Sequence, residues 1–179
     1  MVKVVKLTVD DITSDMLSNF HHSQRITQKW TYHDHQWELM DTSDLREWSK
    51  EKRRWIPQYL QKQMIHGGCV VAAYDENVLV GFCAVDGSLR GNTASYANLT
   101  MLFIDDRWKR KGIGSKLFCE ICKQAENMKA DKLFISAIPS AETVAFYFHM
   151  GCEDAKEIVL EYVDTEHDRY LECLLATHI

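Results

Sequence analysis

The chain has 179 residues, 46% of them apolar and 26% charged, with a formal net charge of −5. That is enough for one ordinary domain with its own core, and the mildly acidic balance gives no support to nucleic-acid binding. No uncharged apolar run is long enough to span a bilayer, and the start of the chain lacks a signal peptide's apolar block, so the six cysteines read as reduced cytoplasmic thiols.

Val2 to Val9 alternates apolar and polar residues, which predicts a first strand. Asp10, Asp11, Thr13 and Ser14 offer N-caps for a short helix to about Phe20. Trp30-Thr31-Tyr32 and Trp37-Glu38-Leu39 flank the polar run His33 to Gln36, the pattern of a hairpin. Ser43 to His66 has helical spacing (Leu45, Trp48, Trp55, Tyr59, Leu60). Pro57 should end or kink its first part or start a second helix, and Gly67-Gly68 should stop it. Cys69–Tyr74 and Val78–Asp86 read as two strands joined by Asp75-Glu76-Asn77, and Gly81 marks a bulge or a close backbone approach.

A central strand, Leu99 to Ile104, then runs through a polar corner into Lys109-Arg110-Lys111-Gly112-Ile113-Gly114-Ser115 and a helix. The first N–H groups of a helix have no intrahelical partner and carry partial positive charge. Glycines at 112 and 114 allow close approach, and three basic side chains surround the donors. Such a loop suits a phosphate or pyrophosphate. It is not a P-loop, since no glycine stands at the required upstream position. It is not a dinucleotide fingerprint either, since Leu117 replaces the third glycine. Ile113, Leu117, Ile121, Cys122, Ala125 and Met128 form the apolar stripe of the helix that follows. Lys132–Ala137 reads as a buried strand, and Ser140 as the N-cap of a helix closed by Gly151. Glu157–Val163 and Arg169–Ala176 read as two last strands. Strand, helices, three strands, helix, strand, helix and two strands make a mixed α/β sheet in one domain, residues 1–179.

The loop resembles the [Q/R]xxGx[G/A] acetyl-CoA loop of the GNAT N-acetyltransferase superfamily, with Lys109 where Gln or Arg is usual. Ser140 to Cys152, SAETVAFYFHMGC, is similar to the second signature of that family, NxxAxxFYxxxGF. Phe146, Tyr147 and Gly151 match, while Ser140, Thr143 and Cys152 depart from it. The resemblance implies a mostly antiparallel sheet with a splayed central strand pair and helices on both faces. It implies that acetyl-CoA binds with its pantetheine arm along Leu102, Phe103 and Ile104. Its pyrophosphate would sit on Lys109, Arg110, Lys111, Gly112, Gly114 and Ser115, with Ser140 and Phe146 bordering the other side. The Leu102 N–H would receive the oxyanion, and Tyr147 would protonate the departing thiolate.

The reaction would be direct attack of an amine on a thioester. An alkylammonium is only about one part in two thousand neutral at pH 7, so deprotonation adds roughly 4–5 kcal/mol to the barrier. The resemblance would place a carboxylate near Thr100, but Ser95 to Ile104 contains none. A water relay with no single dominant base is therefore expected; Glu161 and Asp86 read either as proton sinks through water or as plain solvated strand-face and turn charges. Tyr147 falls to one side of a stripe formed by Ala141, Val144, Ala145 and Phe148.

A small-molecule amine is the expected acceptor, entering between Thr27–Gly68, read as an acceptor-side elaboration, and the last hairpin. Asp164, Glu166 and Asp168 there would suit a cation. A protein lysine or N-terminal amine, and an acyl-CoA sensor without turnover, are the alternatives, and a homodimer is compatible with the sequence. The Cys119/Cys122 pair lies within one helix, and His21, His22, His33 and His35 read as solvated, so no metal site is expected.

Overall fold

A computed structural model describes residues 1–175. Its strands and α-helices run β1 (Val2–Lys6), β2 (Ser23–His33), β3 (Gln36–Glu47), α1 (Lys50–Ile65), β4 (Cys69–Asp75), β5 (Val78–Val85), β6 (Tyr96–Ile104), α2 (Ile113–Asn127), β7 (Lys132–Ala137), α3 (Ala141–His149), β8 (Glu153–Asp154) and β9 (Arg169–Leu174). Seven strands form one sheet in the order β1-β4-β5-β6-β7-β9-β8, while β2 and β3 form a separate ribbon. Every pair in the large sheet is antiparallel except β6–β7. The mixed, mostly antiparallel sheet with helices on both faces is as expected.

Side-chain alternation explains the layering. In β4, Val71 and Ala73 pack with Leu117, Phe118 and Ile121 of α2. Val70 and Ala72 face the other way, against Ile56 and Leu60 of α1 and Phe82 of β5. Both faces of the sheet are thus covered, which is why its central strands read as continuous apolar runs. Gly81 is needed for this closeness, because a Cβ there would lie 2.8 Å from Ile104 Cδ1 and 3.0 Å from Leu117 Cδ1.

Several expectations are corrected. The segment after β1 forms a 3-10 turn at Val9–Asp11 followed by turns, with no regular helix. The caps read there are consumed locally, Thr8 Oγ1 and N–H both donating to Asp11 Oδ2 at 2.7 Å. The hairpin is far longer than the aromatic pairs alone indicated, extending to Glu47, so Leu45 sits on a strand. Its tip, Asp34-His35, has both residues at positive φ, the geometry of a tight two-residue hairpin turn. No helix ends or begins at Pro57: α1 runs from its Ser49 cap through Pro57 to Ile65. Proline in a helix interior costs about 3 kcal/mol, and burial of Ile56, Pro57 and Leu60 against the sheet offsets it. Glu157–Val163 is a loop with a 3-10 turn at Leu160–Tyr162, and β8 takes its predicted place beside β9. The last strand ends at Leu174, and Ala176 lies outside the described residues.

The hairpin is bound to the body at its base and again toward its tip. Trp30 N–H donates to the Pro139 carbonyl at 2.6 Å, and Gln24 Nε2 reaches Ser140 Oγ and Thr143 Oγ1 at 3.0 and 2.9 Å. The buried Arg169 guanidinium lies 4.9 Å from the Trp30 ring, 4.6 Å from Trp37 and 5.0 Å from Phe148. Its Nε and Nη2 bind Asp154 at 2.7 and 2.8 Å, while Nη1 has no hydrogen-bond acceptor among the described residues. The three π-faces are what stabilises that remaining charge.

Candidate active site

The parallel pair β6–β7 is joined only at Tyr96↔Lys132, Ala97↔Leu133 and Asn98↔Phe134. Beyond this point β6 stays with β5 and β7 stays with β9, so Leu99–Ile104 and Ile135–Ala137 part. Thr100 is the extra residue of a bulge opposite β5, between Ala84↔Met101 and Val85↔Leu99, and bulges bend the strand that carries them. Thr100 is held there by Gln63 Nε2, donating to its hydroxyl at 2.9 Å, while the hydroxyl is 3.2 Å from the Ala84 carbonyl.

The opening is a cavity of about 840 Å³ lined by β6, β7, the loop into α2, α3 and the hairpin base. Asp105 N–H donates to the Val80 carbonyl on β5. By alternation, the main-chain groups of Ile104 and Leu102 face the gap. Ile104 already shows this, since its carbonyl accepts a bond at 3.1 Å from His22 Nδ1 across the opening.

At one end stands the N-terminus of α2. Gly112 caps it at φ +75°, and Arg110 is also at positive φ (+62°). The N–H groups of Ile113, Gly114 and Ser115 have no protein acceptor among the described residues. In front of Gly112 an added Cβ would meet nothing within 4 Å, whereas at Gly114 it would come into van der Waals contact with the Phe146 ring at 3.4 Å. The result is an open patch of unpaired donors with partial positive charge, a fit for a diphosphate.

The corner feeding this turn is rigid. Asp105 is fully covered and accepts from Arg107 Nε (2.9 Å), Arg107 Nη2 (2.8 Å), Arg107 N–H (3.0 Å) and His21 N–H (3.0 Å). Burial would raise its pKa, but these bonds and the Arg107 charge prevail and hold it at about 2.

Leu102, Phe103, Ile104, Lys109, Arg110, Gly112, Gly114, Ser115, Phe146 and Tyr147 all line the one cavity. Three expected contributors behave differently. Lys109 reaches back to Asp106 Oδ1 at 2.6 Å and to the Ser23 carbonyl, tying down the hairpin. Lys111 lies over the Trp108 ring at 4.4 Å, off the cavity wall. Ser140 caps α3 by accepting from Thr143 N–H at 3.1 Å, and it is buried beneath the hairpin beside a smaller cavity.

Tyr147 is not at the side of a packing stripe. Val144 and Tyr147 are the buried residues of α3, while Ala145 and Phe148 are exposed. The reason is that α3 leans on α2 through Phe118, whose ring is 5.9 Å from Tyr147 and 6.2 Å from Phe146. Burial pushes the Tyr147 phenol far above its ordinary value, with the Cys83 and Cys152 thiols adding to the shift. It remains a proton donor throughout the neutral and alkaline range.

Neither Asp86 nor Glu161 lines the cavity, and Glu161 pairs with Arg90 at 3.5 Å. Asp164 does line it. Although its side chain is exposed at the rim, the surrounding protein and the charge of Asp168 raise its pKa. Reading the sequence alone missed His22 and Gln24, which close the cavity on the hairpin side. Neither lies in a motif, and only the long-range docking of the hairpin base brings them there. Among the described residues no His/Cys/Asp/Glu group could hold a metal, and no helix is long and apolar enough to cross a membrane.

The family model described as an acetyltransferase (GNAT) domain matches residues 39–161. Among solved structures, the chain is similar to nourseothricin acetyltransferase, with 13% identity, 98% of this chain and 99% of that one covered, and a TM-score of 0.70. It is similar to the ribosomal-protein-S18-alanine N-acetyltransferase from Escherichia coli, with 14% identity, 100% and 97% covered, and a TM-score of 0.62. It also matches an aminoglycoside 6′-N-acetyltransferase complexed with coenzyme A, with 12% identity, 99% of both chains covered, and a TM-score of 0.61. At these identities the likeness concerns the fold. No curated protein matches the sequence.

Proposed function

The chain belongs to the GNAT acetyltransferase family, and from that premise we propose that it transfers an acetyl group from acetyl-CoA to a primary amine of a small molecule by direct attack. That it is an acetyl-CoA-dependent N-acetyltransferase follows from the family. The acceptor class and the residue roles are our reading. The observation that carries them is the convergence of an unpaired helix N-terminus, a free strand edge and a buried tyrosine on one cavity.

Coenzyme A supplies the thioester, an acyl group activated toward amines. The unpaired N–H groups of Ile113, Gly114 and Ser115, with Arg110 beside them, would hold its diphosphate. The gap-facing main-chain groups of Ile104 and Leu102 would bind the amides of its arm as an added strand would. The Leu102 N–H is the donor for the oxyanion, a preorganised dipole whose loss costs about 10²–10³ in rate at comparable sites. Tyr147, kept protonated by burial, gives its proton to the leaving thiolate.

Two observations favour a small acceptor over a protein lysine or N-terminus. The hairpin base spans the opening from Ile104 to the start of α3, leaving no broad groove for an extended peptide on that side. On the cavity wall, the Asp164 carboxylate makes no hydrogen bond or ion pair among the described residues and can meet a cation. Nourseothricin acetyltransferase and an aminoglycoside 6′-acetyltransferase, which share this fold, act by name on nourseothricin and an aminoglycoside, while the ribosomal-protein-S18-alanine N-acetyltransferase of the same fold acts by name on a protein. Residues 27–68 then serve as the acceptor-side elaboration of a single domain.

The test is a thiol-release assay with acetyl-CoA and matched primary amines: polyamines, aminoglycosides, amino-acid derivatives and lysine-containing peptides. Turnover concentrated among small cationic amines supports the proposal. Turnover confined to peptides overturns the acceptor class. Tight CoA binding without thiol release for any amine points instead to a sensor.

A further inference from the structure

We propose that His22 is the base that takes the proton from the acceptor ammonium, a group that β6 itself does not supply. This rests on the transferase reading above. His22 lies on the cavity wall, at the base of the hairpin and opposite α3. Its Nδ1 is 3.1 Å from the Ile104 carbonyl. A carbonyl only accepts, so Nδ1 carries the hydrogen, and in the neutral ring Nε2 is left with a free lone pair. The ring is clamped by Trp48, with centroids 5.2 Å apart, and edge-on to Phe103 at 4.9 Å.

The charged groups facing the ring are Lys52 from α1 and the Asp106 and Lys109 pair from the β6–α2 corner, the last two 2.6 Å apart. Burial is the largest influence and lowers the pKa of His22. The Ile104 bond and Asp106 oppose this, while Lys109 and Lys52 add to it. At neutral pH the ring is therefore uncharged and able to accept. The other side chains on the cavity that could take a proton, Glu142, His149 and Asp164, are all exposed to solvent. His22 alone among them is partly sheltered and oriented by a hydrogen bond.

Nε2 takes one proton from R–NH3⁺, directly or through a water, giving an imidazolium and a free amine. The amine lone pair forms the C–N bond to give the tetrahedral oxyanion at the Leu102 N–H, and the C–S bond breaks as that oxyanion collapses. Tyr147 protonates the thiolate and is re-protonated by the second nitrogen proton. His22 later releases its proton to solvent.

Two isosteric amines test this: ethylamine, an ammonium at neutral pH, and trifluoroethylamine, already uncharged there. His22→Asn keeps an N–H for the Ile104 carbonyl but cannot act as a base. It should lower kcat/KM for ethylamine about 100-fold at pH 7, and for trifluoroethylamine by less than about threefold. The wild-type ethylamine profile should carry an inflection below pH 6.5 that the variant lacks. Nitrogen-15 histidine spectra of the wild-type protein, which need no variant, should report an Nδ1–H tautomer titrating below 6.5. Equal loss with both amines, no loss with either, or an Nε2–H tautomer would overturn the assignment. Wild-type enzyme that binds CoA but releases thiol neither with these two nor with any amine of the wider panel would overturn the transferase reading, and the base with it.

Discussion

Tyr147 combines two properties seldom found together in a surface helix: it is among the most covered residues of α3, and it lines the cavity. Burial disfavours the phenolate, so the group suits donation and not abstraction. Tyr147→Phe keeps the ring against Phe118 and removes only the hydroxyl. It should lower kcat by about 10–100-fold while leaving the KM for acetyl-CoA within about twofold, read by steady-state thiol release. A raised KM with unchanged kcat would make Tyr147 a binding residue instead. Because its pKa lies far above the ordinary tyrosine value, the wild-type rate should also show no alkaline fall near pH 10, where an exposed tyrosine would ionise.

The element that decides the site is the corner from β6 through Asp105 into α2. Asp105 is fully covered, but only just beneath the surface, since its partner Arg107 is half exposed. Its pKa is depressed in the folded state, from 3.8 to about 2. A group with a depressed folded pKa contributes stability above its unfolded pKa, and that contribution is lost as pH falls toward the folded value. Here the window is about pH 4 down to about 2, and the contribution is roughly 1–2 kcal/mol. Asp105→Asn should therefore lower stability by that amount at pH 7 and by much less at pH 2, measured by urea unfolding at both values.

The glycines of the same corner act on the ligand side. At Gly114 the space in front of the backbone is bounded by Phe146 at 3.4–3.5 Å, so a larger side chain must project into the cradle or displace that ring. Gly114→Val should keep the fold, judged by circular dichroism, and weaken CoA binding at least tenfold by calorimetry. Unchanged affinity would move the diphosphate elsewhere.

At the scale of the whole molecule, what was legible in the sequence is what depends on neighbours along the chain. The apolar runs of β4, β5 and β7, the stripe of α2, the Ser140 cap and the cradle loop all follow from local periodicity or local backbone need. The segment up to residue 49 was less legible, for a physical reason. Its ribbon is fixed by contacts from afar: Trp30 and Trp37 on Arg169, Gln24 on Ser140 and Lys109 on Ser23. With mostly exposed faces, β3 carries little apolar alternation to distinguish it from the start of a polar helix. His22 and Gln24 were hidden in the same way, since each becomes a cavity wall only when the hairpin base is brought to the mouth of the parted strands. The cavity thus joins locally encoded parts, the cradle and Tyr147, to a hairpin base and a late loop that only tertiary packing delivers.

On the proposed reading, main-chain donors at the start of α2 and along the free edge of β6 grip coenzyme A. Amide spectra of nitrogen-15-labelled protein, recorded as CoA is added, test it most directly. The largest shifts should fall on Gly112 to Ser115, Leu102 and Ile104, with the edge residues of β1 unmoved. Saturable binding that leaves the amides of residues 112–115 where they were would contradict it.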